Sequence, residues 1–296
     1  MQQTDALGAA VSTRSTASLE SRSPTAIGKY LLIGGVLLYL GAVLVCPMAA
    51  LVVETGHIGI GVALAAIAKP AALSALRMSL VLVVIALVAN ALVGTFGAIA
   101  LVRHRFWAKG LLSALCDLPL AVSPVMIGLA FLLLLGRGGL LAPLLDAMGV
   151  KVVFSFPGLV IATLFVTLPY TIREVAYVLE EIGIGEEEAA TTLGASPVQT
   201  FFRVTLPNIR IALGYGLLMT AARTLGEFGA ILVLGGSISG QTQTATTFIQ
   251  DAIEERQLPE AYGMALVLGI TSVTLLLSLE SVKGRRQAKK SGKAST

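Results

Sequence analysis

The chain has 296 residues, 55% of them hydrophobic and 13% charged, with a mean hydropathy of +0.86. Soluble domains carry about 25% charged residues, so this composition excludes a soluble globular fold and predicts an all-α integral membrane protein. The net charge of +4 matters through where it sits rather than through its sum.

Residues 1–28 are rich in Ser, Thr and Ala and hold no apolar run, which predicts a disordered cytoplasmic tail. They do not read as a cleavable signal, because the apolar stretch opening at Leu31 is too long and no small-residue cleavage site follows it. A spanning helix needs about 20 apolar residues. Six stretches qualify over a transmembrane domain of residues 29–282: 31–53, 78–102, 118–136, 152–172, 211–234 and 261–279. The second contains Asn90, the third Pro119 and Pro124, the fourth Pro157 and Pro169, and the fifth Arg223 and Glu227.

Orientation follows from Lys and Arg. With the N-terminus inside, the outer segments hold only Lys69, Arg137, Lys151 and Arg256, while Arg77 and Arg223 lie at or within spans. The remaining fifteen of the 21 cations fall inside, a strong positive-inside bias that predicts cytoplasmic termini in a cell (inner) membrane. The basic tail 283–296 then reads as a cytoplasmic stop that meets anionic lipid. No aromatic residues interleave with it to stack bases, so no nucleic-acid partner is expected. Cys46 and Cys116 fall in or beside spans without CxxC spacing and read as small buried apolar groups. His57 and His104 fall on opposite sides. With no His, Cys or carboxylate cluster at ligand spacing, no metal site and no catalytic residue is expected.

Between the fourth and fifth spans lies a polar stretch, residues 186–207, reading EEEAATTLGASPVQTFFRVTLP. Glu186, Glu187 and Glu188 suit the first turn of a helix, where carboxylates offset the dipole. Gly194 is a natural stop. Ser196 suits an N-cap, Pro197 the first helical position, and Gln199 completes a capping box. Val198, Phe201, Phe202 and Thr205 predict one face of a second short helix, ended by Leu206-Pro207. On local physics alone this is either a hairpin that packs on its own protein or one that docks a partner.

Three other places could carry chemistry. Prolines at 119 and 124 predict either a broken helix lining a substrate path, with Ser123 and Pro124 at the break, or a kinked helix buried against neighbours. Arg223 and Glu227, spaced i, i+4, predict an ion pair on a shared helix face. The pair is either structural or part of an anion path, Arg223 passing an anion and Glu227 limiting its affinity. The loop GGSISGQT, 235–242, including Ser237, can expose backbone N–H groups to an anion, although any external turn uses the same composition.

Glu188-Ala189-Ala190, three residues, Gly194, nine residues, Val204, one residue, Leu206-Pro207 resembles the EAA loop of ABC-importer permeases. The resemblance implies the MetI-like six-helix permease fold. It also implies a cytoplasmic coupling loop in which Glu188, Ala189, Ala190, Leu193, Gly194, Ala195, Ser196, Leu206 and Pro207 dock into a groove on the ATPase subunit. The stretches DLPLAVSPVMIGL (117–129), RTLGEFGAI (223–231) and GSISGQT (236–242) are similar to sulfate and molybdate permeases, and 154–175 and 203–216 to the W-type sulfate/thiosulfate permease subunit. The similarity thins in the first two spans and the last, and the segment 243–259 departs from the pattern. Membership implies a T-type permease partner, two copies of an ABC ATPase and a periplasmic sulfate-binding protein. This chain has no GxxxxGK[ST] loop, so ATP and Mg would be bound by the partner ATPase and no cofactor is expected here. A molybdate or tungstate permease shares these motifs. A secondary anion transporter would leave the EAA loop unexplained and should show inverted repeats, which the chain lacks.

Overall fold

The computed structural model describes residues 26–293, and every regular element among them is helical. In chain order these are α1 (Ala26–Ile58), α2 (Ile60–Ile67), α3 (Pro70–Ala89), a π-helical turn (Asn90–Gly94), α4 (Thr95–Arg103), α5 (Lys109–Ala121) and α6 (Pro124–Leu135). There follow α7 (Ala142–Ala147), α8 (Phe156–Ile182), α9 (Gly185–Thr192), α10 (Pro197–Thr200), a second π-helical turn (Phe201–Thr205) and α11 (Leu206–Leu225). The last three are α12 (Gly229–Gly235), α13 (Ala245–Glu254) and α14 (Leu258–Lys293). The tail expected over residues 1–28 lies outside the described residues up to residue 25, and α1 already begins at Ala26.

Among the described residues four helices are long and apolar enough to cross a membrane: Gly28–Ile58, Pro70–Arg103, Phe156–Ile182 and Leu258–Leu275. Two further pairs pass the same test together but are bent, Lys109–Ala121 with Pro124–Leu135 by 118° and Pro197–Leu225 with Gly229–Gly235 by 57°. Six spans result if each bent pair counts as one. The third and fifth stretches are therefore not straight helices. Pro119 is carried inside α5, whereas before Pro124 the chain takes the geometry that a following proline favours: Ser123 is extended (φ −60°, ψ 137°) and α6 starts afresh.

Packing centres on α8, whose most apolar window is 56% buried. Ile172, Val175 and Leu179 of α8 meet Ala98 and Leu101 of α4 and Ile209 and Ala212 of α11. Toward its start, Ala162 and Val166 meet Ile127 of α6 and Ala230 and Leu234 of α12. A separate cluster joins α3, α13 and α14 through Ala72, Ala75, Phe248 and Met264. Within a bilayer apolar burial gives little drive, so close approach of small residues and van der Waals contact must hold helices together. Thr171 shows this from both sides. A Cβ on Gly94 would fall 2.8 Å from its Cγ2, and one on Gly216 would fall 3.0 Å from its Cα.

The polar groups these spans bury are mostly paired. Asn90, fully buried, donates to Ala86 O (2.9 Å) and to Thr167 Oγ1 (3.0 Å). Cys46 is exposed rather than buried and Cys116 is half-buried. An apolar side chain in a membrane span need not face protein, since lipid accepts it equally well.

Candidate functional site: a clamped helical hairpin and two facing helix breaks

The polar stretch 186–207 folds into the expected joint. Glu186, Glu187 and Glu188 occupy the first turn of α9. That helix closes at Gly194 with φ +85°, Gly194 N–H donating to Thr191 O and Ala195 N–H to Ala190 O, a Schellman closure. Ser196 then caps α10 through a complete capping box. Gln199 N–H donates to Ser196 Oγ (3.3 Å) and Ser196 N–H to Gln199 Oε1 (2.9 Å), with Pro197 in the first turn.

The expected stop at Leu206-Pro207 does not occur. Leu206 is helical (φ −62°, ψ −44°), and α10 runs through the π-turn Phe201–Thr205 into α11. Proline normally clashes with the carbonyl four residues back and lacks the donor for it. The wider turn relaxes that constraint, and Pro207 sits in the first turn of α11. The extra residue also shifts the helix phase. The expected stripe of Val198, Phe201, Phe202 and Thr205 is split. Thr200 and Thr205 face inward, while Val198 and Phe202 are 66% and 60% exposed. Phe201 stacks instead on Phe96 of α4, with centroids 5.8 Å apart.

Of the loop residues singled out by sequence, Glu188, Ala189, Leu193, Gly194, Ser196 and Pro207 are exposed, and Ala190, Ala195 and Leu206 are half-buried. Leu193 is 88% exposed. The hairpin therefore presents Leu193, Val198 and Phe202 on an otherwise polar segment.

A clamp that the sequence reading missed fixes this hairpin. Arg103, at the end of α4, donates from Nε to Glu187 Oε2 (3.0 Å), and its terminal nitrogens donate to Leu179 O (3.1 Å) and Gly183 O (2.7 Å). Thr205 Oγ1 donates to Glu187 Oε1 at 2.9 Å, and Asn208 Nδ2 donates to Glu186 Oε2. The guanidinium thus ties α4, α8 and α9 together with only 12% of its side chain exposed. The available signal was that Arg103 and Glu187 both fall on the cytoplasmic side by the charge rule. A similar fork, Arg173 to Asp117 and Ser113, ties α8 to α5.

The two helix breaks face each other. A Cβ on Gly229, the first residue of α12, would meet Val125 N at 3.0 Å and Pro124 Cβ at 3.4 Å; one on Gly128 would meet Ala230 at 3.0 Å. So the break at Ser123-Pro124 packs against the break between α11 and α12, and protein covers the backbone that each break frees. Arg223 and Glu227 bracket this second break. Arg223 Nη1 lies 2.7 Å from Glu227 Oε2, the carboxylate side chain being 1% exposed and the guanidinium 25%. They do not share a helix face, however. Helix α11 ends at Leu225 with Gly226 as its cap, and Glu227 reaches back over that end while its Oε1 accepts from Ala230 N–H. A cation in the last turn of α11 and a carboxylate at the start of α12 both suit the local dipoles. Thr246 Oγ1 closes the joint by donating to Glu227 O at 2.7 Å.

Ser237 stands apart from this pair. Its Oγ donates to Asp251 Oδ2 (2.6 Å), and Gln243 Nε2 donates to the same oxygen. Thr242 Oγ1 donates to Gly235 O and accepts from Ile238 N–H. Among the described residues no hydrogen bond joins this loop's side chains to Arg223 or to the Glu227 carboxylate. Nor does any group of three or more His, Cys, Asp or Glu among them fit a metal ion.

The sequence pattern of the family described as "Binding-protein-dependent transport system inner membrane component" matches residues 91–285. The chain belongs to that family. It is 44% identical to the sulfate transport system permease protein CysW of Synechococcus elongatus, covering 86% of this chain and 90% of that one. It is 33% identical to the sulfate transport system permease protein CysT of Salmonella typhimurium, over 87% and 93% of the two chains. Among solved structures, a chain of a bacterial alginate ABC transporter, crystallised in complex with alginate pentasaccharide-bound periplasmic protein, superposes with a TM-score of 0.69. That match has 17% identity and covers 86% of this chain and 91% of the other, which shows the shared fold. This is an ABC-importer permease with the all-helical inner-membrane architecture of its family.

Proposed function

We propose that the chain is the W-type permease subunit of an ATP-driven sulfate/thiosulfate importer, forming half of the translocation path. The observation that carries the reading is the agreement with the Synechococcus protein over nine-tenths of that protein's length. The lower identity to a T-type chain favours the W role and a T-type protein as the other half of a heterodimer. Two ATPase copies below and a periplasmic sulfate-binding protein above complete the assembly, with both termini of this chain in the cytoplasm. ATP and Mg belong to the ATPase, so this chain catalyses no chemistry of its own.

In this reading the hairpin 186–207 is the coupling element. Exposed Leu193, Val198 and Phe202 offer the ATPase groove an apolar grip, with Glu188, Ala189, Ala190, Gly194, Ala195, Ser196, Leu206 and Pro207 shaping the contact. The Arg103 clamp passes its movement into α4 and α8. The facing breaks at Ser123-Pro124 and Arg223–Glu227 form the gated part of the path. The gate is required energetically: a dianion entering a negative-inside cell works against about 4.6 kcal/mol per 100 mV, so an open pore would let sulfate out. Labelled sulfate uptake in a strain lacking its own permease, with molybdate as competitor, tests the reading. Sulfate uptake that excess molybdate leaves intact is expected, and uptake of molybdate but not sulfate would overturn the substrate assignment.

A further inference from the structure

Among the described residues Arg77 has no counter-ion. It is the one formal charge between Pro70 and Val102, seven residues into the helix Pro70–Arg103 and immediately before the apolar run 78–102. Among the described residues, Arg103 is paired with Glu187, Arg173 with Asp117 and Arg223 with Glu227, whereas Arg77 is in no such pair. The nearby Lys69 is taken by Glu260. No acidic group lies within ion-pair distance of Arg77, whose side chain is exposed. A charge is costly at the centre of a span and much less so near its end, where Arg77 lies; what singles this arginine out is the space that it lines.

The cavity is present. Arg77 lines a space of about 500 Å³ together with Ser74, Phe156 at the start of α8, and Gly240. Gly240 belongs to the GSISGQT loop, where Gly236, Ser237 and Gly240 all have positive φ. Within that loop the Ser239 and Gly240 N–H groups donate to no described residue. On a wall that is otherwise largely apolar, the space is therefore bounded by the Arg77 guanidinium and by Gly240, whose N–H is unclaimed; a guanidinium beside a free backbone N–H suits a tetrahedral oxyanion. Its position at the Lys69–Glu260 end of the bundle puts it opposite the Arg103 clamp.

Resting on the importer reading, we propose that Arg77 and the Ser239-Gly240 turn form an outer anion-holding station. It would receive the oxyanion before it reaches the helix breaks. Arginine supplies a planar two-donor grip on two oxygens at once. The exposed, single-residue character of the charge keeps the hold weak enough to release.

The test uses the complete importer in proteoliposomes, with labelled sulfate uptake and ATPase activity measured together. Arg77→Gln is expected to lower uptake about tenfold, the cost of a charge-assisted hydrogen bond, while loaded binding protein still stimulates the ATPase as in wild type. Arg77→Lys should keep more of the uptake than Gln does. Ser74→Asp keeps Arg77 but gives it a carboxylate one turn away; its uptake should fall like that of Arg77→Gln, which covers the case in which Arg77→Gln fails to assemble. Both losses should persist in vesicles of zwitterionic lipid alone. Wild-type uptake by both variants would overturn the station. So would a loss confined to anionic vesicles, which assigns Arg77 to a headgroup phosphate. So would normal uptake by Ser74→Asp where Arg77→Gln does not assemble, which assigns it to subunit contact. If wild type carries molybdate and not sulfate, the substrate reading fails separately, and the same variant-to-wild-type ratios are read with molybdate.

Discussion

Arg103 grips Glu187 at 3.0 Å across the base of the helical hairpin 186–207, and the same guanidinium holds the carbonyls of Leu179 and Gly183. One side chain therefore joins the end of α4, the end of α8 and the first turn of α9. A displacement of α9 must move the other two or break a charge-assisted fork.

Removing the clamp should uncouple the protein more than unfold it. Arg103→Ala leaves Glu187 with Thr205 only and strips donors from two carbonyls, a loss of about 1–3 kcal/mol at this partly solvated site. The permease should still reach the membrane, bind the ATPase and allow ATP hydrolysis, yet carry several-fold less sulfate per ATP. An unchanged ratio of transport to hydrolysis would show that the hairpin transmits its movement by another route.

Gly194 tests the joint itself. A Cβ there meets open space, so only the backbone resists substitution. At φ +85° a β-branched residue is strained by at least about 1–2 kcal/mol, whereas Asn tolerates the left-handed region. Gly194→Val should weaken ATPase recovery and abolish uptake, and Gly194→Asn should retain most of both. Equal behaviour of the two variants would remove the conformational explanation.

For the buried pair, Arg223→Ala alone strands a carboxylate that is 1% exposed. Breaking such a pair typically costs about 3–5 kcal/mol, and removing both partners spares that penalty. Membrane abundance should fall for the single variant and largely recover for Arg223→Ala with Glu227→Ala. Equal abundance of the two would show that the pair does not act as a unit. An abundant double variant that binds ATPase but does not transport places both residues in the path or its gate.

Sidedness is read by labelling. In a background with Cys46 and Cys116 replaced, a cysteine at exposed Ser239 should react with an impermeant thiol reagent from outside, and one at exposed Val198 only after permeabilisation. The opposite pattern would invert the orientation argued from Lys and Arg.

Much of this architecture was legible in the residues because bilayer physics leaves few choices. Apolar runs of the right length marked the spans, and Gly194, Ser196, Pro197 and Gln199 carried the hairpin's caps in purely local chemistry. What could not be read is what depends on neighbours. Pro207 looked like a helix end because the π-turn that accommodates it has no local code. Glu227 looked like a partner on Arg223's own helix because Gly226 ends that helix only in the context of α12 packing on α6. The Arg103–Glu187 clamp joins residues 84 positions apart, and the meeting of the Pro124 and Gly229 breaks is likewise long-range. Such contacts come from how α8 gathers its neighbours, which a single sequence does not display.

The central claim, that this chain forms half of an ATP-driven sulfate importer, is tested most directly by accumulation. The chain is reconstituted with a T-type permease, the ATPase and the binding protein, with ATP sealed on the ATPase side. Labelled sulfate should then build up above its external concentration, and omitting this chain, the binding protein or ATP should abolish the build-up. Flux that proceeds without ATP and stops at equal concentrations on both sides would contradict the account.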